Sequence, residues 1–400
     1  MTPSTTQSAP QISILGGGFG GLYTALALSK LPWGNPQPDI VLVDQRDRFL
    51  FSPLLYELLT GELQTWEIAP PYEELLATTT VRFHQADIER LNLSDCQVTL
   101  SDGATLTYDR LVLAMGGETP MDLVPGAAEH AIPFRTIEDA YRLGECLRTL
   151  ESSDTDKIRV AVVGGGYSGI ELACKLADRL GDRGRIRIIE RSEEILQTSS
   201  EFNRKAAQQA LSDRDVWLDL ATTVESITAD TLALHYRDQV DKIPVDVVLW
   251  TVGTQVAPVV QTLGLKQNQR QQISVEPTLQ VTDHETLFAL GDLADCKDAG
   301  GQQMPGTAQV AIQQADYVAW NIWASLTGRP LLPFRYNHLG EMMTLGTNNA
   351  TLTGLGIQLD GIPAHVARRL AYLYRMPTLD HQIRVGLNWI GQPIRDLLSL

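Results

Sequence analysis

Residues 14–23 read ILGGGFGGLY, and residues 162–172 read VVGGGYSGIEL. In each, an apolar β-type run ends in a glycine cluster that opens a helix-type run. The first copy sits within QISILGGGFGGLYTALAL, with Gly16, Gly18 and Gly21 at the spacing GxGxxG, and the next strand-like run, IVLVDQRD, ends in Asp44. A bare glycine-rich turn would explain the glycines alone. It would not explain a strand before them, a helix after them and an acid at the end of the following strand. Together these make a dinucleotide fingerprint. Gly16 permits the tight turn, Gly18 lets the backbone approach a pyrophosphate, and Gly21 lets helix and strand pack closely. The helix N-terminus meets the phosphate charge and Asp44 accepts from ribose hydroxyls.

The second copy repeats the device with Gly164, Gly166 and Gly169, and IRIIERSEEI brings Glu190 to the end of its second strand. Two fingerprints mean two dinucleotides. LVLAMGGETP (111–120) and VVLWTVGTQVAP (247–258) echo each other behind their own fingerprints as buried-type strands followed by glycine. The expected fold is therefore α/β, with two Rossmann-like units, the second inserted into the first. The expected division is 10–150 and 276–335 for the first unit, 151–275 for the second, and 336–400 for a C-terminal region.

Composition narrows the partners. The 400 residues, 44% apolar, suffice for two or three domains with full cores. A formal charge of −16 argues against a nucleic acid and against an acidic protein electron carrier. The four cysteines, Cys96, Cys146, Cys174 and Cys296, form no CxxC or Cys/His cluster, so no dithiol centre, iron–sulfur site or zinc site is expected. No run of 18 apolar residues occurs, so no spanning helix is expected. MTPSTTQSAP carries no positive charge, so neither a secretory leader nor an Arg-bearing plastid leader is expected.

ETLFALGDLAD (285–295) places Gly291 and Asp292 after a strand-like run. An ordinary helix-capping Asp would read the same. Behind two fingerprints, however, it resembles the distal FAD motif of two-dinucleotide flavoproteins, in which the Asp binds the ribityl chain. That likeness assigns FAD to the first unit and NADPH or NADH to the inserted one. The stretches DQRDRFLFSPLLYELLTGELQTWEIAPP (44–71), GGGYSGIELA, LFALGD and PGTAQVAIQQADYVAWNI (305–322) together resemble the type II NAD(P)H:quinone oxidoreductases over essentially the whole chain. VDQRDRFLFSPLLYEL, LGDRGRIRIIER and WNIWASLTGRPLLPFRY are most similar to the cyanobacterial and plastid subgroup that serves phylloquinone synthesis. The resemblance implies hydride transfer from NAD(P)H to FAD and then to a naphthoquinone, without proton pumping. A general respiratory plastoquinone or ubiquinone reductase is the alternative. Another is a soluble reductase of a protein carrier.

Quinone reduction takes two electrons and two protons, so it calls for an apolar slot with hydrogen-bonding groups. Gln309 and Gln313, four apart, share a helix face, and Ala308 and Ala311 leave room for a ring. In the family the matching AQxAxQ segment lines the quinone pocket, although two solvated glutamines would show the same spacing. Glu171 near the second helix start is favoured there by the dipole alone. The resemblance adds a contribution to substrate binding. Glu190 suits the ribose diol of NADH, whereas Arg191 could pair with the 2′-phosphate of NADPH.

The tail carries two apolar stripes at helical spacing. Ile362, Val366, Leu370 and Leu373 form one, with Pro363 suited to a first turn; Ile383, Leu387, Ile390, Ile394 and Leu397 form the other, with Trp389, and Pro393 is expected to bend or interrupt it. Residues 361–400 hold five Arg against two Asp, a charge of +3 on a chain that is otherwise −19. A closing helix pair packed on the FAD domain explains the stripes. A peripheral, monotopic contact with a membrane surface on the cytoplasmic face explains the charge as well, with Arg368, Arg369 and Arg375 reaching headgroups. The sequence leaves oligomeric state open, a homodimer included.

Overall fold

The computed structural model describes residues 8–398, with side chains described through residue 391. The chain groups into two units, each discontinuous in sequence. One comprises residues up to Phe49, Ala69–Glu118 and Thr254–Asn337; the other comprises Leu50–Ile68, Thr119–Gly253 and everything from His338.

In the first unit, Gln11–Leu15 is central to a parallel sheet. Asp39–Asp44 and then Arg82–Gln85 lie on one side, and Arg110–Leu113 followed by His284–Ala289 on the other, with Gln280–Val281 at the edge. The inner strands Gln11–Leu15, Asp39–Asp44 and Arg110–Leu113 are near-continuous apolar runs because helices cover the sheet. Phe19–Ser29 packs along the 20-residue helix Ala308–Thr327.

The second unit repeats the plan. Ile158–Val163 is flanked by Gly184–Ile189 and Trp217–Asp219 on one side and by Val247–Trp250 and Ala131–Pro133 on the other, all parallel. Val247–Trp250 thus holds the place that Arg110–Leu113 holds in the first unit. Each unit also inserts a three-stranded antiparallel sheet before that strand: Ile88–Asn92, Gln97–Leu100 and Thr105–Thr107 in one, Thr222–Ile227, Thr231–Tyr236 and Gln239–Pro244 in the other. The duplication read from the sequence is therefore physical.

The insertion begins earlier than the expected residue 151. Ala131–Pro133 completes the second sheet and Ile137–Ser152 is a helix of the same unit, capped by a Thr136–Asp139 capping box. The insertion also ends earlier than residue 275, with Gly253.

The C-terminal part of the second unit is a small antiparallel sheet, Glu341–Thr344, Ala350–Gly354 and Ile357–Asp360, followed by the helices Gly361–Arg375 and Leu379–Leu398. Pro363 lies in the first turn as its fixed φ favours. The second helix runs on through Pro393 instead of stopping there. No helix among the described residues is long and apolar enough to cross a membrane.

Candidate functional site: two dinucleotide cradles and a buried carboxyl

In the first unit Gly16 has φ +97°, and a Cβ there would meet Ala114 O at 2.5 Å; a Cβ on Gly21 would fall 1.7 Å from Gly16 O. Both positions require glycine, one for conformation and one for close approach. Gly18, the N-cap of Phe19–Ser29, is exposed, has open space around it, and leaves the helix start without a side-chain cap. A helix start with no side-chain cap, together with its dipole, suits a pyrophosphate. Gly17 N donates to Asp44 Oδ2 at 2.6 Å and Arg46 N donates to Oδ1 at 2.9 Å. Burial raises the Asp44 pKa, and these two backbone donors oppose the rise. Tyr72 Oη donates to Gly17 O at 2.9 Å, steadying the loop.

The second cradle reproduces this. Gly164 has φ +113°, a Cβ on Gly169 would lie 1.9 Å from Gly164 O, and exposed Gly166 is an open N-cap with no side-chain bond. Gly165 N donates to Glu190 Oε2 at 2.7 Å and Ser192 N to Oε1 at 2.8 Å. Arg191 is exposed next to it. Both donor sets fit a dinucleotide: uncapped N–H groups for phosphate, and an anchored carboxylate for a ribose.

The distal motif closes on the first unit. Gly291, φ +74°, donates its N–H to Gln314 Oε1 at 2.8 Å, and Asp292 lies in the short turn Gly291–Leu293 beside Gly306. Gln314 is buried and was not singled out by sequence; it stands next to Gln313, which was. Gln309 and Gln313 do share a face, but neither is freely solvated. Gln309 Oε1 accepts from Tyr336 Oη at 2.6 Å. Gln313 exchanges two bonds with the Asn337 backbone, at 2.9 and 3.0 Å.

Glu171 lies in a different setting, inside the second unit. It is buried, accepts from Thr344 N at 2.9 Å, and lies 3.7 Å from Arg368 Nη2. Burial pushes its carboxyl up to about 7, against the pull of Arg368. Arg368 is fully buried, with Nη1 2.5 Å from Glu57 Oε1 and Nη2 donating to Pro53 O at 2.8 Å. Burial would raise the Glu57 pKa, but Arg368 and Lys175 outweigh it and hold the carboxyl below its ordinary range. Buried Lys175 pairs with Glu62, and Arg369 lies 3.6 Å from the same carboxylate. Glu171 is thus one carboxyl of a buried Glu–Arg–Glu row rather than an acid solvated at a helix start.

Residues 10–315 match the pyridine nucleotide-disulphide oxidoreductase family. The chain belongs to that family. Within it, the demethylphylloquinone reductase of Synechocystis is 57% identical over 98% of this chain and 99% of the relative. The chloroplastic/mitochondrial alternative NAD(P)H-ubiquinone oxidoreductase C1 of Arabidopsis thaliana is 44% identical over 98% of this chain and 82% of the relative. The type II NADH:quinone oxidoreductase of Haemophilus influenzae is 28% identical over 94% and 95%. NDH2 of Plasmodium falciparum, solved with NADH, shares the fold, with a TM-score of 0.85 over 96% of this chain and 98% of that one at 16% identity. These comparisons bear out both the two-dinucleotide architecture and the type II reading.

The family signature at 44–71 has a local purpose that the sequence did not disclose. Its Glu57 pairs with Arg368. Its buried Glu67 accepts from Trp389 Nε1 at 2.8 Å and Asn388 Nδ2 at 3.2 Å, and its carbonyl meets His381 Nε2 at 2.8 Å. The stretch is a platform for the tail. This corrects the expectation for Arg368, which does not reach outward, and limits Arg369, whose guanidinium lies 5.0 Å from the Trp389 ring. The apolar stripe takes the outside instead. Ile362 is 66% exposed, Leu370 60%, Leu387 66% and Ile390 70%, while Ala364, His365 and Arg368 are buried. Ile394 and Leu397 lie outside the residues whose side chains are described.

Proposed function

We propose that the chain is an FAD-dependent NAD(P)H:quinone oxidoreductase working at a membrane surface on a demethylated naphthoquinone. The reaction rests on the pair of matching cradles, in a chain aligned end to end with a demethylphylloquinone reductase. Bound FAD supplies the two-electron relay between a nicotinamide hydride and a quinone. The protein holds each dinucleotide by helix N-terminal N–H groups and by Asp44 or Glu190. Anchored Glu190 favours the diol of NADH and exposed Arg191 offers a cation to the 2′-phosphate of NADPH, so both nicotinamides are accepted. Asp292 serves the ribityl chain. Gln309 and Gln313 border the quinone slot through the segment they fasten, and Glu171, titrating near neutrality, holds a proton for the quinone.

The membrane part rests on the inverted helix pair. In a helix closing a domain the apolar stripe faces inward. Here it faces solvent, and the neighbouring hairpin adds Leu355, 82% exposed, and Ile357. Exposed apolar side chains gathered on the helix pair and the hairpin are of the kind that marks an interaction site. A quinone with a long isoprenoid tail resides in the bilayer, so a peripheral contact delivers the enzyme to its substrate. Replacing Leu370 and Leu387 together by Glu should abolish sedimentation with anionic liposomes. Turnover of a long-tailed naphthoquinone should fall much more than that of a short soluble one. If the variant keeps its flavin and still sediments as the native protein does, the helices are not the anchor.

A further inference from the structure

The second unit carries a cavity of about 220 Å³ that none of the chemistry above uses. It lies at the opposite end of the sheet from the fingerprint. Ile158–Val163 and Gly184–Ile189 run into their loops at Gly164 and Glu190; Arg159 and Arg185 are the second residues of those strands and directly neighbour each other in register. Arg187 is the next residue on the same face and pairs in register with Trp217. Three guanidinium-bearing residues and an indole therefore stand on one face of the sheet, with Ile243, Pro244 and Val245 walling the space.

The arrangement gathers positive charge on one face. Neighbouring strands lie about 4.8 Å apart, so Arg159 and Arg185 repel each other in an otherwise acidic protein. Arg159 has Asp246 at 3.9 Å and Arg187 has Asp219 at 3.1 Å. Arg185 donates to the carbonyls of Asp182 and Gly184 and has no carboxylate partner among the described residues. Trp217 is 61% exposed, with the Arg187 guanidinium 5.3 Å from its ring. Asp215 is the one carboxylate among the lining residues, against three arginines.

We infer that this cavity is a second small-molecule site, for an aromatic carboxylate of one or two rings. The ring lies against Trp217 and the apolar wall, and the carboxylate is received by Arg185 and Arg159. Planar guanidinium forks match a carboxylate in two-point geometry and stack with aromatic faces. The volume, below the roughly 300–1,000 Å³ of drug-sized sites, limits the occupant to a compact molecule.

The test uses FAD-loaded protein in saturating NADP⁺, so that the fingerprint is filled, titrated calorimetrically with 2-naphthoate. Saturable binding of one molecule per chain is expected. Arg185→Gln and Trp217→Ala should each weaken it roughly tenfold or more, with flavin content and quinone turnover unchanged. 2-Naphthol, a ring without the anion, and inorganic phosphate, an anion without the ring, should both bind at least as poorly as those variants do. The inference is overturned if 2-naphthoate does not bind, if both variants bind it as the native protein does, or if phosphate alone binds equally well.

Discussion

Replacing Arg368 by Met keeps the length of the side chain and removes the only guanidinium bonded to Glu57 among the described residues. Both groups are fully buried, 2.5 Å apart. Breaking a buried ion pair by deleting one partner costs about 3–5 kcal/mol, because the remaining charge stays in a medium that cannot solvate it. A kcal/mol is worth about 2–4 °C in a unit of this size, so melting should drop by roughly 6–20 °C. The loss should also depend on pH. With Arg368 present, the depressed Glu57 carboxyl contributes stability above its unfolded pKa, lost as pH falls through the folded one. Without it, both Glu57 and Glu171 rise, so the penalty is greatest where both would be ionised, near pH ~8, and smaller near pH ~5.5. Melting of the holoprotein followed by circular dichroism at the two pH values measures this. Arg368→Met combined with Glu57→Gln should recover most of the loss, since a neutral pair strands no charge. A drop below about 3 °C, an equal drop at both pH values, or a double variant no better than the single one would show that the pair is not the fastener described.

Glu171→Gln removes a carboxyl that burial holds near 7. A raised carboxyl contributes stability at low pH that is lost as pH rises through about 7, so the variant should gain on the native protein between pH ~5 and ~8; native quinone turnover is expected to decline through the same window, and in the variant that decline should flatten. Turnover profiles with an unchanged native-like inflection would remove the proton-holding role. Asp292→Ala should lower FAD retention on dialysis by the loss of a charged acceptor, about 1.5–3 kcal/mol, and full flavin content in the dialysed variant would refute the ribityl assignment.

The cradles were legible because their demands fall on consecutive residues. Only glycine fits at Gly16, Gly21, Gly164 and Gly169, and the acids at Asp44 and Glu190 sit where a strand of known length must end. The insertion boundary was not. Ala131–Pro133 is three residues with no periodicity, and it becomes a strand only because Val247–Trp250 offers an edge to pair with. Arg368 was misread for a related reason. An Arg in an amphipathic helix reads as solvated, and what buries it is Glu57, 311 residues away in sequence. The signal available was Glu57 itself, a charge inside the apolar run SPLLYELL with no local partner to neutralise it.

The ion pair also explains how an outward apolar face survives folding in water. Rolling the helix Gly361–Arg375 about its axis would hide Ile362, Val366 and Leu370, each worth about 1.5–3 kcal/mol if fully buried. That rotation would carry Arg368 into solvent and abandon Glu57 in the interior. The penalty acts as a pawl that opposes the roll and offsets much of what turning the surface inward would gain. Ile362, Val366 and Leu370 therefore stay exposed once the chain has folded. The membrane contact proposed above would find that face already turned outward before any lipid is met.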